Sequence, residues 1–175
     1  KEDNLLGYST AGTRFVPQPI TMTRASAGTR VNSAGLVETV ELLGSELVDC
    51  GNFECAVPTD YWTEGTGWDI SSGTANASAA SSFLTQIQSI QANTTYKVIY
   101  TVSNYSSGQV STNIGGWVYG ENRTSNGTFT DYITTTNDVQ NNKIFIVALS
   151  GFTGSITNVS VKEYTANNLA RVDYD

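Results

Sequence analysis

Apolar and polar residues alternate most clearly in the second half of the chain. Tyr96, Val98, Tyr100 and Val102 alternate with Lys97, Ile99, Thr101 and Ser103, a period of two that predicts a strand with a strongly apolar inward face. The cluster Ser103-Asn104-Tyr105-Ser106-Ser107-Gly108 predicts a turn. A second strand carrying Val110, Thr112 and Ile114 should follow. Gly115-Gly116 predicts a bend ahead of Trp117-Val118-Tyr119. Asn126-Gly127 is a hairpin signal before a strand over residues 128–133. Residues 143–149 form a nearly continuous apolar run of strand length, and residues 156–164 alternate again. Roughly eight short strands are therefore expected between residues 46 and 164, with a β-sandwich or jelly roll as their closure. A helix is accommodated only at residues 37–47.

The first forty residues have a different texture. Val16-Pro17-Gln18-Pro19-Ile20 must be extended, because each proline excludes its predecessor from the α region. Val31-Asn32-Ser33-Ala34-Gly35-Leu36-Val37 reads as strand, tight turn, strand. Four of the nine basic residues fall in the first thirty positions, which sets this segment apart from the acidic remainder.

Composition narrows the function classes. The 175-residue chain carries a formal net charge of −7, which disfavours a nucleic-acid binder that must neutralise phosphates. It contains no His, so imidazole bases and imidazole metal ligands are absent from its sequence. No apolar run approaches the roughly 20 residues of a membrane span, and no membrane insertion is expected. Only 14% of residues are charged, unlike the A/E/K/L/R-rich profile of helical proteins. Cys50 and Cys55 form a C-x4-C pair. A straight strand would hold them roughly 16 Å apart, too far for a bridge, so two free thiols are the default reading. A turn at Gly51-Asn52 would bring them together instead. A two-cysteine zinc site lacks its other ligands.

Several segments, taken in order, resemble a known pattern. They are Leu47-Val48-Asp49-Cys50-Gly51-Asn52-Phe53-Glu54, Trp62-Thr63-Glu64-Gly65-Thr66-Gly67-Trp68-Asp69-Ile70 and Leu84-Thr85-Gln86. After them come Asn93-Thr94-Thr95-Tyr96-Lys97-Val98, Tyr100-Thr101-Val102-Ser103-Asn104-Tyr105 and Gly154-Ser155-Ile156-Thr157-Asn158-Val159-Ser160-Val161-Lys162-Glu163. The series is similar to the jelly-roll, carbohydrate-binding-module-like domains of bacteriophage virion proteins. The flanks resemble a motif of phage tail-fibre and head-fibre proteins. Its first half is Thr23-Arg24-Ala25-Ser26-Ala27-Gly28-Thr29-Arg30-Val31-Asn32-Ser33-Ala34-Gly35-Leu36-Val37-Glu38, and its second is Asn168-Leu169-Ala170-Arg171-Val172-Asp173-Tyr174. The resemblance implies an insertion. A jelly roll over residues 46–164 interrupts a small, mostly extended β module formed by residues 1–45 and 165–175, which would anchor the chain in the virion. In that family the second half usually runs on into more chain, which implies that this chain is a fragment or a processed form of something longer.

A sugar-binding sandwich needs flat aromatic faces to stack on pyranose C–H groups, beside amides and carboxylates for the hydroxyls. Trp117 and Tyr119, two apart on one strand face and flanked by glycines, are the leading candidates, with Asn113, Asn122 and Arg123 as polar neighbours. Tyr61, Trp62 and Tyr132 are the further glycan candidates. A core role competes for Trp62, and more strongly for Trp68. The resemblance also implies a structural calcium near the first and last strands, held by oxygen ligands. Asn52, Glu54 and Asn158 are the residues available for it. The aspartate usual in the pattern is replaced here by Thr157, which leaves the metal-free reading standing beside it.

No pair of carboxylates is marked as a glycosidase pair, so no enzymatic activity is expected. The resemblance implies a virion structural protein, a fibre, spike or decoration component on the particle surface. It would contact other virion proteins, form a homo-oligomer with a trimer favoured, and adhere to host-surface glycan. The alternatives are an accessory glycan-binding module of a secreted polysaccharide-degrading enzyme, and a purely structural spacer of the capsid or tail.

Overall fold

A computed structural model describes residues 29–31, 37–39, 41–116 and 118–166. The structure is all-β, with 64% of the described residues in strands and almost no helix among them. Strands β1 (Thr29–Val31) and β2 (Val37–Thr39) form a two-stranded antiparallel hairpin with Thr29 opposite Thr39. The joint packing expected of residues 1–45 with 165–175 concerns residues that lie mostly outside those described. A separate body spans Glu41–Thr165.

Nine strands build that body in one nearly closed sheet. They are β3 (Glu41–Glu46), β4 (Trp62–Glu64), β5 (Trp68–Ser71), β6 (Thr74–Ala80), β7 (Phe83–Ile87), β8 (Thr95–Ile114), β9 (Val118–Tyr119), β10 (Gly127–Thr134) and β11 (Lys143–Ala166). One 3-10 turn, Pro58–Asp60, precedes β4. Within residues 37–47, where the sequence accommodates a helix, the structure has strands β2 and β3 instead. No helix among the described residues is long and apolar enough to cross a membrane.

The two longest strands organise the body. The sequence predicts a turn at residues 103–108, yet β8 runs straight through it, and β11 likewise joins two stretches expected to be separate strands. The reason is that both strands bend together. Asn104 and Gly108 on β8, and Ser150 and Gly151 on β11, take left-handed backbone angles that break the local strand course. A Cβ on Gly108 would meet the backbone of Gly151 and Phe152, so the two bends nest. Pairing persists through the corner, with Thr153 opposite Ser107. Turn chemistry here bends a ladder rather than ending it.

Each half of the two long strands then recruits its own neighbours. The first half of β8 pairs with β10 and with the last half of β11. The second half pairs with β9 and with the first half of β11, beyond which lie β7 and β4. Tyr96, Val98, Tyr100 and Val102 point inward as their alternation predicts, and meet Ile144, Ile146 and Ala148 in one buried cluster. Gly115 and Gly116 both take positive φ and form a tight turn from β8 into β9. β10 starts at Gly127 as the Asn-Gly signal predicts, but its partner is the distant first half of β8.

Cys50 and Cys55 are bonded as a disulfide with their Cα atoms 5.8 Å apart. This corrects the free-thiol reading. Cys50 and Phe53 adopt left-handed angles, and the Phe53 amide donates to the Cys50 carbonyl at 3.1 Å. The chain thus turns back on itself at Gly51-Asn52. Gly51 sits against Val159, whose amide donates to the Gly51 carbonyl at 2.8 Å, so the loop is tied to the last strand.

Candidate functional site

Strand parity puts two sets of side chains on opposite faces of the β4–β7–β11–β8–β9 half. Leu84, Ile144, Ile146, Val110 and Ile114 face the core. Phe83, Phe145, Val147, Ser111 and Asn113 therefore face outward. Register brings them into rows: Phe83 lies opposite Val147, and Val147 opposite Ser111. Next to that row, Phe145 lies opposite Asn113, and Asn113 opposite Tyr119.

These residues line a groove of about 190 Å3. Phe83, Phe145 and Val147 form an apolar side; Asn113, Gly116, Tyr119 and Asn141 complete it. The Phe83 and Phe145 rings meet edge to face at 5.8 Å, an arrangement favoured by the ring quadrupoles. Tyr119 is 56% exposed, so one of the two leading aromatic candidates does open to solvent. Trp117 lies outside the described residues.

Two polar groups on this face have no bonding partner. Asn113 is only 2% exposed, and its side-chain oxygen accepts the Gly116 amide at 2.9 Å. Its amide nitrogen is buried and unpaired, as is the hydroxyl of the neighbouring Ser111. Buried donors without partners are uncommon and cost stability.

The other candidates are dispersed. Trp62 corrects its glycan assignment: it is 1% exposed and packs on Phe53 at 5.3 Å. Its indole N–H donates to the Cys50 carbonyl at 3.2 Å. Tyr61 precedes β4 at the end of the 3-10 turn, with a helical backbone. Tyr61 is exposed and lines a second recess with Asp49, Asp60, Thr63 and Ile87.

Tyr132 lies on the outer surface of the other half of the sheet, opposite Lys97. Its hydroxyl donates to Glu41 at 2.6 Å, and its ring packs on Tyr164 at 4.8 Å. Lys97 completes the cluster through an ion pair with Glu41. The Lys97 ammonium, then the Tyr132 hydroxyl, hold the Glu41 carboxyl below its usual range. Tyr132 is thus engaged in tying β3 to the sheet rather than in the Tyr119 groove.

Arg123 also turns away from that groove. It pairs with Asp131 and Glu121 and lies over the Phe129 ring at 4.8 Å. Beside this cluster the Tyr100 hydroxyl is buried without a bonding partner. Burial, reinforced by the Asp131 charge, pushes its pKa up to about 12.

Of the calcium candidates, Asn52 and Glu54 are committed to each other. Asn52 donates to the Glu54 carboxylate at 2.9 Å and accepts the Glu54 amide at 3.2 Å. Asn158, at a left-handed φ of 53°, immediately precedes the Val159 that holds Gly51. No group of three His, Cys, Asp or Glu side chains among the described residues is placed to hold a metal.

Of the groove residues, sequence reasoning had Tyr119 and Asn113 and missed Phe83, Phe145 and Asn141. One signal was available. In the run Ile144-Phe145-Ile146-Val147-Ala148, the outward positions are as apolar as the inward ones, which marks a second face with something to bind or cover. No protein-family model matches this chain, and no curated protein matches it.

Proposed function

We propose that this chain is a structural component of a phage particle whose β body adheres to surface glycan through the groove beside Tyr119. The groove carries the adhesion half of this reading: an exposed aromatic ring, apolar walls and a buried, unpaired amide lie together on one sheet face. Stacking rings with a few placed polar groups are what sugar recognition requires. The particle half rests on the sequence of the flanks, which resembles the fibre motif. A jelly-roll sandwich is the fold we assign to the body. The support is that the two halves of β8 and β11 enclose one core. On this reading the chain sits at the particle surface, contacts other virion proteins, and trimerises through its flanks. Many weak copies on one particle then give useful avidity.

The disulfide favours a second reading. Disulfides persist in oxidising compartments, which suits an accessory glycan-binding module of a secreted enzyme. Glycan-array binding of the purified protein tests the shared core of both readings. Specific signals that vanish in Tyr119→Ala, with an unchanged melting temperature, are expected. No glycan signal from the native protein would leave the spacer role in its place. Immunogold labelling of intact particles separates virion from secreted module.

A further inference from the structure

Resting on the glycan reading above, we infer that the groove selects a neutral sugar bearing an acetamido group. Three observations point there. No charged side chain lines the groove among the described residues, so a sialylated, sulfated or amino sugar gains no ion pair. The apolar side formed by Phe83, Phe145 and Val147 is poorly suited to a hydroxyl, which would lose its water without a partner. It suits a methyl group. Finally, Asn113 presents an unsatisfied donor beside that wall. The Gly116 amide, by occupying the Asn113 oxygen at 2.9 Å, fixes which way the amide points and leaves its N–H2 end unpaired.

An acetamido substituent carries both complements on adjacent atoms. Its carbonyl oxygen accepts from Asn113, and its methyl packs on the phenylalanine pair. The pyranose ring is left to stack on Tyr119. The Asn113 amide is hidden from solvent in the unliganded groove, so ligand entry requires a wall to shift. Phe83 and Tyr119, both about half exposed, are the side chains with room to do so.

Matched oligosaccharide pairs test this. N-acetylglucosamine and N-acetylgalactosamine oligomers are titrated calorimetrically against glucose and galactose oligomers of the same linkage and length. The acetamido member of at least one pair should bind about tenfold tighter, the worth of one hydrogen bond with its apolar contact. Asn113→Ala should erase that ratio. In case that variant fails to fold, saturation-transfer NMR on the native protein gives a second readout, with the acetamido methyl receiving the strongest transfer. Equal affinities within every pair, or strongest transfer to ring protons, overturns the acetamido inference while leaving glycan adhesion intact. Absence of binding by every oligomer and across the glycan array overturns both.

Discussion

Replacing Tyr100 with phenylalanine should change how the protein responds to alkali. The Tyr100 hydroxyl is buried between Asp131 and Arg123 with no partner at hydrogen-bonding geometry, and its pKa rises from 10.0 to about 12 because burial and the Asp131 charge outweigh the opposing Arg123 guanidinium. The folded state therefore keeps this proton over a range in which the unfolded chain has released it. Below pH 10 both states are protonated and the group contributes no pH dependence. From pH 10 to pH 12 the native state binds more protons, so stability falls as pH rises. Each pH unit costs about 1.4 kcal/mol, giving a loss of about 3 kcal/mol across the window. Tyr100→Phe removes this contribution. Near neutral pH the variant should lie within about 1 kcal/mol of the parent, because the lost hydroxyl was unpaired. Urea unfolding of both proteins at a series of pH values gives the difference directly, and the other tyrosines and lysines cancel between them. Tyr96 and Tyr132 also titrate late, so tyrosinate absorbance of the native protein should show one more late-titrating phenol than the variant, the one near 12. Parallel stability curves through the alkaline window would refute the reasoning, as would a large loss at neutral pH.

Other perturbations have distinct signatures. Reducing the Cys50–Cys55 bridge, which closes a loop with a sequence separation of 5, should cost about 2 kcal/mol by loop entropy, read as a lower urea midpoint with reductant. Gly51→Ala should be more damaging than its size suggests, by about 3 kcal/mol, because the added Cβ falls on the Val159 carbonyl oxygen; thermal melting would check it. Trp62→Ala should cost about 4 kcal/mol by emptying a core site, whereas Tyr61→Ala, at an exposed position, should be nearly neutral in the same assay. Glu41 has a lowered pKa in the folded state, so its contribution is present above the usual carboxylate range and disappears as pH falls through its folded value. Glu41→Gln should flatten that part of the acid stability curve by no more than about 1 kcal/mol.

Inward alternation at Tyr96, Val98, Tyr100 and Val102 was legible because a half-buried strand writes its period directly into sequence. The bends were not. Asn104 and Gly108 carry ordinary turn chemistry, and whether a turn ends a strand or bends it depends on a partner bending at the same place. That partner, Ser150-Gly151, lies far along the chain. Trp62 shows the limit of parity: it opens a three-residue strand directly after a 3-10 turn, too short for a period to show, and packing against Phe53 decides that it faces in. The groove was hardest to foresee. Phe83, Asn113 and Phe145 come from three strands, and sheet register alone makes them neighbours. Cys50 and Cys55 became a bridge because left-handed angles at Cys50 and Phe53 shorten a path that an extended strand would hold open.

The body begins on β3 and ends on β11, and these are hydrogen-bonded neighbours: the Leu47 amide donates to the Val161 carbonyl, and Gly44 lies against Glu163. Their residue numbers run in opposite senses along the pair, so both chain ends leave from the same end of it. Tension applied through the two ends would part these strands one bond at a time, like a zipper, without shearing the whole ladder at once. β3 is short and mostly exposed, so it should peel first, with the Lys97–Glu41 ion pair at the pulling end as its first latch. The Gly51–Val159 tie and the disulfide loop stand behind it as the next barrier. Tension on the two ends would thus extend the body by one short step before the core around Tyr100 felt any force.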